Sequence, residues 1–306
     1  MITITATAES LEQAKLLMDA GVDRIYAGDG KYGLRLPHSF EGDALKELVQ
    51  VVHEAGKEIV VPVNAIMTPE LMEGLLDYYR FLESLHVDFI ELGDAGAIHM
   101  LKKNNIQLPF IYNAQMLITN ARQIEFWTKK GAVAAVLGRE VPYAELKKLA
   151  PQITIPAEML VYGATCIHQS RRPLVQNYAN YIQADIDVTK DGGLFLAEPK
   201  HENTHHSIYE DEHGTHIFAN NDLDLMPYLE DLHKIGLDLW KLDGLYTSGK
   251  DFVKIAQCFA QAKEAIENEQ WNDGVAQQLD NIVREYHPKE RGLDEGFFNF
   301  APEDVQ

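Results

Sequence analysis

One short phrase recurs along this chain and restricts its fold more than any other feature. A helical stretch ends at a glycine or turn residue, a Val, Ala or Leu follows, then often an Asp, then a short β-rich run. Copies stand at Gly21-Val-Asp-Arg-Ile-Tyr, His86-Val-Asp-Phe-Ile, Gly131-Ala-Val-Ala-Ala-Val and Gly236-Leu-Asp-Leu-Trp, with a looser one at Gly56-Lys-Glu-Ile-Val-Val. A glycine after a helix supplies a left-handed stop. The runs that follow are apolar on both faces, as parallel strands covered by helices are. Thr68-Pro69 opens one intervening helix with a capping hydroxyl and a first-turn proline, and Leu71, Leu75, Tyr79 and Leu82 form its apolar stripe. Leu225, Leu229, Leu232 and Ile235 do the same before Gly236.

Strand–helix alternation runs from residue 2 to about 165 and resumes near 222, which implies right-handed βαβ units. The expected fold is α/β, a TIM-like (β/α) barrel built from residues 1–166 and 222–268. Periodicity leaves the strand count open, so an incomplete or irregular barrel, or an open doubly wound sheet, are the alternatives. Residues 167–221 break the alternation. They are polar, rich in Asn and His, and contain Asp191-Gly192-Gly193, a hairpin signal, so they are expected to form a β-rich insertion. Residues 269–306 make an acidic C-terminal extension whose Phe297, Phe298 and Phe300 are expected to pack on the body or on a partner.

The 306 residues carry a net charge of −20, which opposes unaided binding to a phosphate backbone and favours an RNA-binding partner instead. Lys102-Lys103, Lys129-Lys130 and Arg171-Arg172 are small basic pairs of the kind found at solvated helix ends and loops. No apolar run approaches a membrane span, and MITITATAESLEQAK has neither a basic start nor an apolar core for a secretory signal. Two cysteines make no disulfide framework, so a cytoplasmic protein with reduced thiols is the expectation.

In a parallel barrel the chemistry lies at the C-terminal ends of the strands. Those ends carry Gly28-Asp29, Asn64, Asp94, Gln115, Arg139, Tyr162 and Asp243, polar residues directly after apolar runs, as a small-molecule pocket needs. With His168 they are the candidate binding residues, and Arg139 is the cation for a small anionic metabolite. The alternative is that each satisfies loop backbone or caps a helix, Asp94 above all. Cys166 ends an apolar run and is a candidate nucleophile. A nucleophile needs a base, and His168 stands two residues away with its contact undetermined. The alternative for Cys166 is a small buried residue. Cys258, in the helical run 252–265, is expected to pack. His201, His205, His206, His213 and His216 crowd one segment, but without H-E-x-x-H they read as an exposed polar hairpin, and no metal site is assigned.

The stretch Glu158-Met-Leu-Val-Tyr-Gly-Ala-Thr-Cys166-Ile-His-Gln-Ser170 resembles the signature of the collagenase-like peptidase family of unknown catalytic type, family thirty-two. Glu158, Gly163, Ala164, Cys166 and Ser170 match it; Tyr162 replaces its His and Pro173 its second Cys. The likeness extends over nearly the whole chain: Gly21–Gly28, Gln115 with Thr119 and Asn120, Arg139-Glu140, Glu210–Thr215, Asn221-Asp222-Leu223 and Gly296-Phe297-Phe298 follow the family's order. The resemblance implies one of two activities. One is peptidase action, with Glu158, Tyr162 and Cys166 as candidate catalytic residues. The other is oxygen insertion, including tRNA-uridine hydroxylation that draws on prephenate, by members that carry a four-cysteine cluster and work as paired subunits. Here Asp224 stands where a further cluster cysteine belongs, and Leu242-Asp243-Gly244-Leu245 has lost the family's arginine. The expectation is therefore a short relative without a cofactor of its own. It would work beside a cysteine-complete relative that contacts tRNA, with the collagenase-like peptidase as the alternative.

Overall fold

The computed structural model describes residues 1–113, 118–301 and 303, with backbone alone for 201–203. In chain order, β1 (Thr3–Thr7), β2 (Arg24–Tyr26), β3 (Glu58–Pro62), β4 (Phe89–Leu92), β5 (Phe110–Tyr112), β6 (Ala132–Val136) and β7 (Ala157–Gly163) alternate with helices α1 (Leu11–Asp19), α2 (Gly42–Glu54), α3 (Pro69–Ser84), α4 (Ala95–Lys103), α5 (Ala121–Lys129) and α6 (Tyr143–Leu149). After β7 come β8 (Cys166–Ser170), α7 (Leu174–Ile182), β9 (Phe195–Glu198), β10 (His201–Asp211), β11 (Gly214–Phe218) and β12 (Asn221–Asp224). The chain then returns through α8 (Leu229–Lys234) to β13 (Leu239–Leu242), followed by α9 (Gly249–Glu267), α10 (Asp273–Tyr286) and β14 (Gly292–Asp294).

Strands β1 to β7 pair in parallel and in sequence, and β13 pairs in parallel with both β1 and β7. That double pairing closes an eight-stranded parallel barrel, so the fold is a TIM-like α/β barrel rather than an open sheet. The recurrent phrase turns out to be its punctuation. Gly21, Gly56, Gly131 and Gly236 all take positive φ before a strand, and His86 (φ 56°) and Asn105 (φ 54°) make the same left-handed stop without a glycine. The large core lies between strands and helices, where Ile4, Ile25, Val61, Ile90 and Trp240 are buried. The alternate, inward positions Tyr26, Val60, Ile111, Ala134 and Leu239 form a second, smaller cluster inside the barrel.

Beyond Cys166, β8, β11, β10 and β9 form a separate antiparallel sheet in that order. Its hairpins turn at Pro199-Lys200, between β9 and β10, and at Glu212-His213, between β10 and β11; Asp191-Gly192-Gly193 instead makes a single 3-10 turn, because no strand precedes it to be paired. In the C-terminal part, α10 packs on α9 and β14 adds to β12, which runs antiparallel to β7. Phe298 packs back on the body, its ring near those of Tyr143 and Tyr228, whereas Phe300 stays exposed. Among the described residues no helix is long and apolar enough to cross a membrane.

Candidate functional site

A cavity of about 390 Å³ opens at the C-terminal end of the barrel. Its wall includes Thr7, Tyr26, Asn64, Glu91, Asn113, Arg139, Leu160, Lys241 and Asp243 from the strand ends, Arg35 from the β2–α2 loop, and Cys166, Ile167, His168 and Gln169 from β8. The β8 sheet therefore roofs the barrel mouth.

Its floor is charged. Glu91 Oε1 accepts hydrogen bonds from Tyr26 Oη (2.7 Å), Asn64 Nδ2 (2.8 Å) and Asn113 Nδ2 (2.8 Å). Lys241 Nζ lies 3.4 Å from Glu91 Oε2 and 3.9 Å from Glu158 Oε1, and 3.3 Å from the centre of the Tyr26 ring. Burial raises the Glu91 carboxyl, but Lys241 and the three donors outweigh it and hold Glu91 below the usual carboxylate range. Glu158 lacks that set of donors, and its Oε1 has no hydrogen-bond partner among the described residues. Burial, opposed by Lys241 and aided by the charge of Glu91, pushes Glu158 up to about 7. The floor thus holds one fixed carboxylate and, beside the same lysine, one carboxyl able to exchange a proton near neutrality.

At the mouth the balance turns positive. Arg35 takes a left-handed backbone (φ 53°) and donates through Nη1 to Gln169 Oε1 at 3.0 Å, tying its loop to the roof. Arg139, half-buried, forms no hydrogen bond among the described residues. Burial and the like charge of Arg35 both lower its guanidinium, with Asp243 opposing them. Burial raises the Asp243 carboxyl against the pull of Lys241, Arg139 and Arg35. Two arginines crowded at one opening, one of them without a hydrogen-bond partner among the described residues, form a ready receptor for a small carboxylate or phosphate.

Cys166 begins β8 at this mouth, and the imidazole beside it is His216 of β11, not His168. Cys166 pairs with Phe218, and His216 lies two residues along on the same face, at the diagonal position. His216 Nε2 is 2.9 Å from Asp211 Oδ1, whereas Nδ1 has no hydrogen-bond partner among the described residues. The thiol donates instead to the His168 carbonyl at 3.3 Å. Burial raises the Cys166 thiol, but His216, Arg35 and Arg139 outweigh it and hold it below the ordinary thiol range. His216 is raised, Asp211 and Cys166 outweighing its burial. The histidine segment is thus half core: His213 and His216 are buried, and His213 Nε2 bonds the Gly30 carbonyl at 2.6 Å. Among the described residues no group of three His, Cys, Asp or Glu is placed to hold a metal.

Of the residues expected in the pocket, Asn64, Arg139, His168, Asp243 and Cys166 line it, and Glu158 lies against its floor. Tyr162 does not. Lys241 pairs with Leu160 but Leu242 with Tyr162, so Val161 is an extra residue on β7, and this bulge turns Tyr162 outward. There it packs near Phe252 and Phe259 and bonds Thr247 (2.9 Å) and His287 (2.8 Å). Asp94 caps α4, accepting from Ala97 N at 2.8 Å, and Asp29 bonds Lys31 N in its own loop. Gln115 lies outside the described residues. Arg35, Glu91, Asn113 and Lys241 were not legible as site residues, and His216 stood out only within a histidine segment that reads as an exposed hairpin, whereas it is buried. A four-thiolate cluster does not fit the donors present: Cys166 is the only cysteine in the pocket, Cys258 packs in the barrel–helix core, and Asp224 is engaged with Met226 N.

The sequence model of peptidase family U32 matches residues 9–305. The chain is 29% identical over 302 residues to tRNA hydroxylation protein P2 of Bacillus subtilis, covering 97% of this chain and 96% of that one. It is 21% identical over 339 residues to tRNA hydroxylation protein P of Escherichia coli, covering 96% and 74%. The solved structure of the U32 peptidase Mk0906 superposes with a TM-score of 0.52 at 13% identity, over 81% of this chain and 94% of that one, a likeness of fold.

Proposed function

The chain belongs to peptidase family U32, and on that footing we propose that it serves tRNA uridine hydroxylation as a subunit without an iron–sulfur cluster. The observation that carries this reading is the end-to-end correspondence with tRNA hydroxylation protein P2. The pocket supports it in detail. Arg35 and Arg139 at the mouth would bind the carboxylate of a small metabolite, prephenate being the one the family resemblance implies. Lys241 and the Glu158 carboxyl beneath would hold or move a proton next to it.

A cysteine-complete relative would supply both the cluster and the contacts to tRNA. The net charge of −20 favours this division of labour. The roof sheet offers a surface for that partner: Tyr178, Tyr181, Phe195 and Leu196 are exposed on α7 and β9. Of the C-terminal aromatics, Phe300 remains available, while Phe298 is committed to the body. The test is mass spectrometry of tRNA nucleosides after deletion of the gene, together with affinity purification of the tagged protein. The expected result is loss of hydroxyuridine and co-purification of the longer relative; recovery of a homodimer alone would remove the partner.

The collagenase-like peptidase reading keeps one observation in its favour, the row Cys166–His216–Asp211 at the pocket mouth. Purified protein assayed on gelatin separates the two. Turnover abolished by Cys166→Ala would favour the peptidase, and its absence the hydroxylation subunit.

A further inference from the structure

Cys166 is placed unlike a packing cysteine. It lines the cavity, whereas Cys258 lies among the apolar side chains between α9 and the barrel. The imidazole beside it is fully buried, with one nitrogen fixed by Asp211 and the other, Nδ1, without a hydrogen-bond partner among the described residues. A buried imidazole nitrogen without a partner is costly unless it has work to do. Facing the sulfur are His216 from β11, Arg35 from the β2–α2 loop, Arg139 after β6, Tyr209 from β10 and Tyr246 after β13. Both arginines bear on the same opening as the sulfur, so an anion held there would lie against Cys166.

We propose that Cys166 is a nucleophile, with His216 as its base and Asp211 as the carboxylate that orients His216, and that it adds to an electrophilic carbon of a small carboxylate anchored by Arg35 and Arg139. The proton leaves the Cys166 thiol for His216 Nδ1, while Nε2–H remains bonded to Asp211. The sulfur lone pair forms the C–S bond. The π pair of the attacked carbonyl or conjugated alkene moves to its far atom, and that atom takes the proton back from His216. The addition is redox-neutral, needs no further reactant and reverses by the same route. It shares the anion pocket with the proposed function and otherwise stands apart from it: thiol kinetics read this proposal and tRNA nucleosides read the other.

The test alkylates the intact folded chain with iodoacetate and with iodoacetamide, following each cysteine by peptide mass. In this probe reaction the thiolate forms the C–S bond as iodide leaves. A thiol that keeps its ordinary value loses reactivity about tenfold per pH unit below it. Cys166 should instead have its pH midpoint below that of an ordinary thiol, exceed Cys258 by roughly a hundredfold, and prefer the anionic iodoacetate over the neutral reagent. Arg139→Gln should slow both reagents near neutrality, because the thiol loses one of the cations that favour its ionised form, and should slow iodoacetate several-fold more, so that the preference disappears. His216→Asn should move the pH midpoint upward, and Asp211→Asn, at the hairpin surface, should do so more weakly without disturbing the buried core. Circular dichroism confirms that each variant is folded. Equal reactivity of Cys166 and Cys258, or an unchanged pH midpoint in folded His216→Asn and Asp211→Asn, would overturn the nucleophile. Loss of no iodoacetate preference in Arg139→Gln would overturn the anion anchor.

Discussion

Lys241 decides the charge state of the barrel floor. It stands between Glu91 and Glu158, all three buried, and a lone buried carboxylate is far costlier than a paired one. Lys241→Met should therefore cost about 3 kcal/mol or more at pH 8, measured by urea denaturation. The sign with pH follows from Glu158. Its folded value is raised, to about 7, so its contribution is present at acid pH and is lost as pH rises through neutrality. The deficit of Lys241→Met should accordingly shrink at pH 5.5. Gly163 sets a second limit at this scale: with φ 117°, a Cβ there would overlap the Asp243 carbonyl. Gly163→Ala should lose at least about 2 kcal/mol by thermal or urea melting. Gly163 was visible in the sequence as part of a motif, but Glu91 and Lys241 were not. Searching for polar residues after apolar runs overlooks polar residues within them. Phe-Ile-Glu-Leu, Leu-Trp-Lys-Leu and Ala-Glu-Met-Leu each hide one charge among apolar neighbours, and a charge in that setting requires a partner across the barrel.

At the scale of elements, β12 and α10 meet through two acids. Asp224 is buried on β12, and among the described residues one oxygen each of Asp224 and Asp280 has no conventional partner. Burial, and then hydrogen bonding to Asp280, push Asp224 up to about 8. The folded state therefore binds a proton more tightly than the unfolded chain, and this junction loses stability as pH rises from the ordinary carboxyl range through 8. Asp224→Asn removes that loss. Its melting temperature relative to wild type should rise by about 2 °C or more between pH 5.5 and 8.5, and a constant difference across that range would count against the shared proton. The same scale explains what the sequence concealed. Helix stops without glycine, at His86 and Asn105, take the same left-handed backbone as Gly56. The bulge at Val161 reverses the side on which Tyr162 emerges, and a one-residue slip leaves no mark in an apolar run. His216 reaches Cys166 only through cross-strand pairing fifty residues along the chain, which spacing cannot reveal.

For the whole molecule, alternation and punctuation were enough to read a barrel, and the structure adds the closure of β13 on both β1 and β7. The ends of its strands then define a mouth that is cationic within a chain of net charge −20. That contrast favours small anions in the pocket over a polyanion on the surface, and leaves tRNA to a partner. The central claim is that this pocket serves tRNA hydroxylation, and it is tested most directly by complementation. A strain lacking the gene, and lacking any redundant pathway, is supplied with the wild-type protein or with Arg139→Gln, and its tRNA nucleosides are measured by mass spectrometry. The expected result is that hydroxyuridine is lost on deletion, restored by the wild-type chain and restored by less than about a tenth by a stably expressed Arg139→Gln. Normal hydroxyuridine in the deletion strain would contradict the function, and full restoration by Arg139→Gln would contradict the role of the pocket.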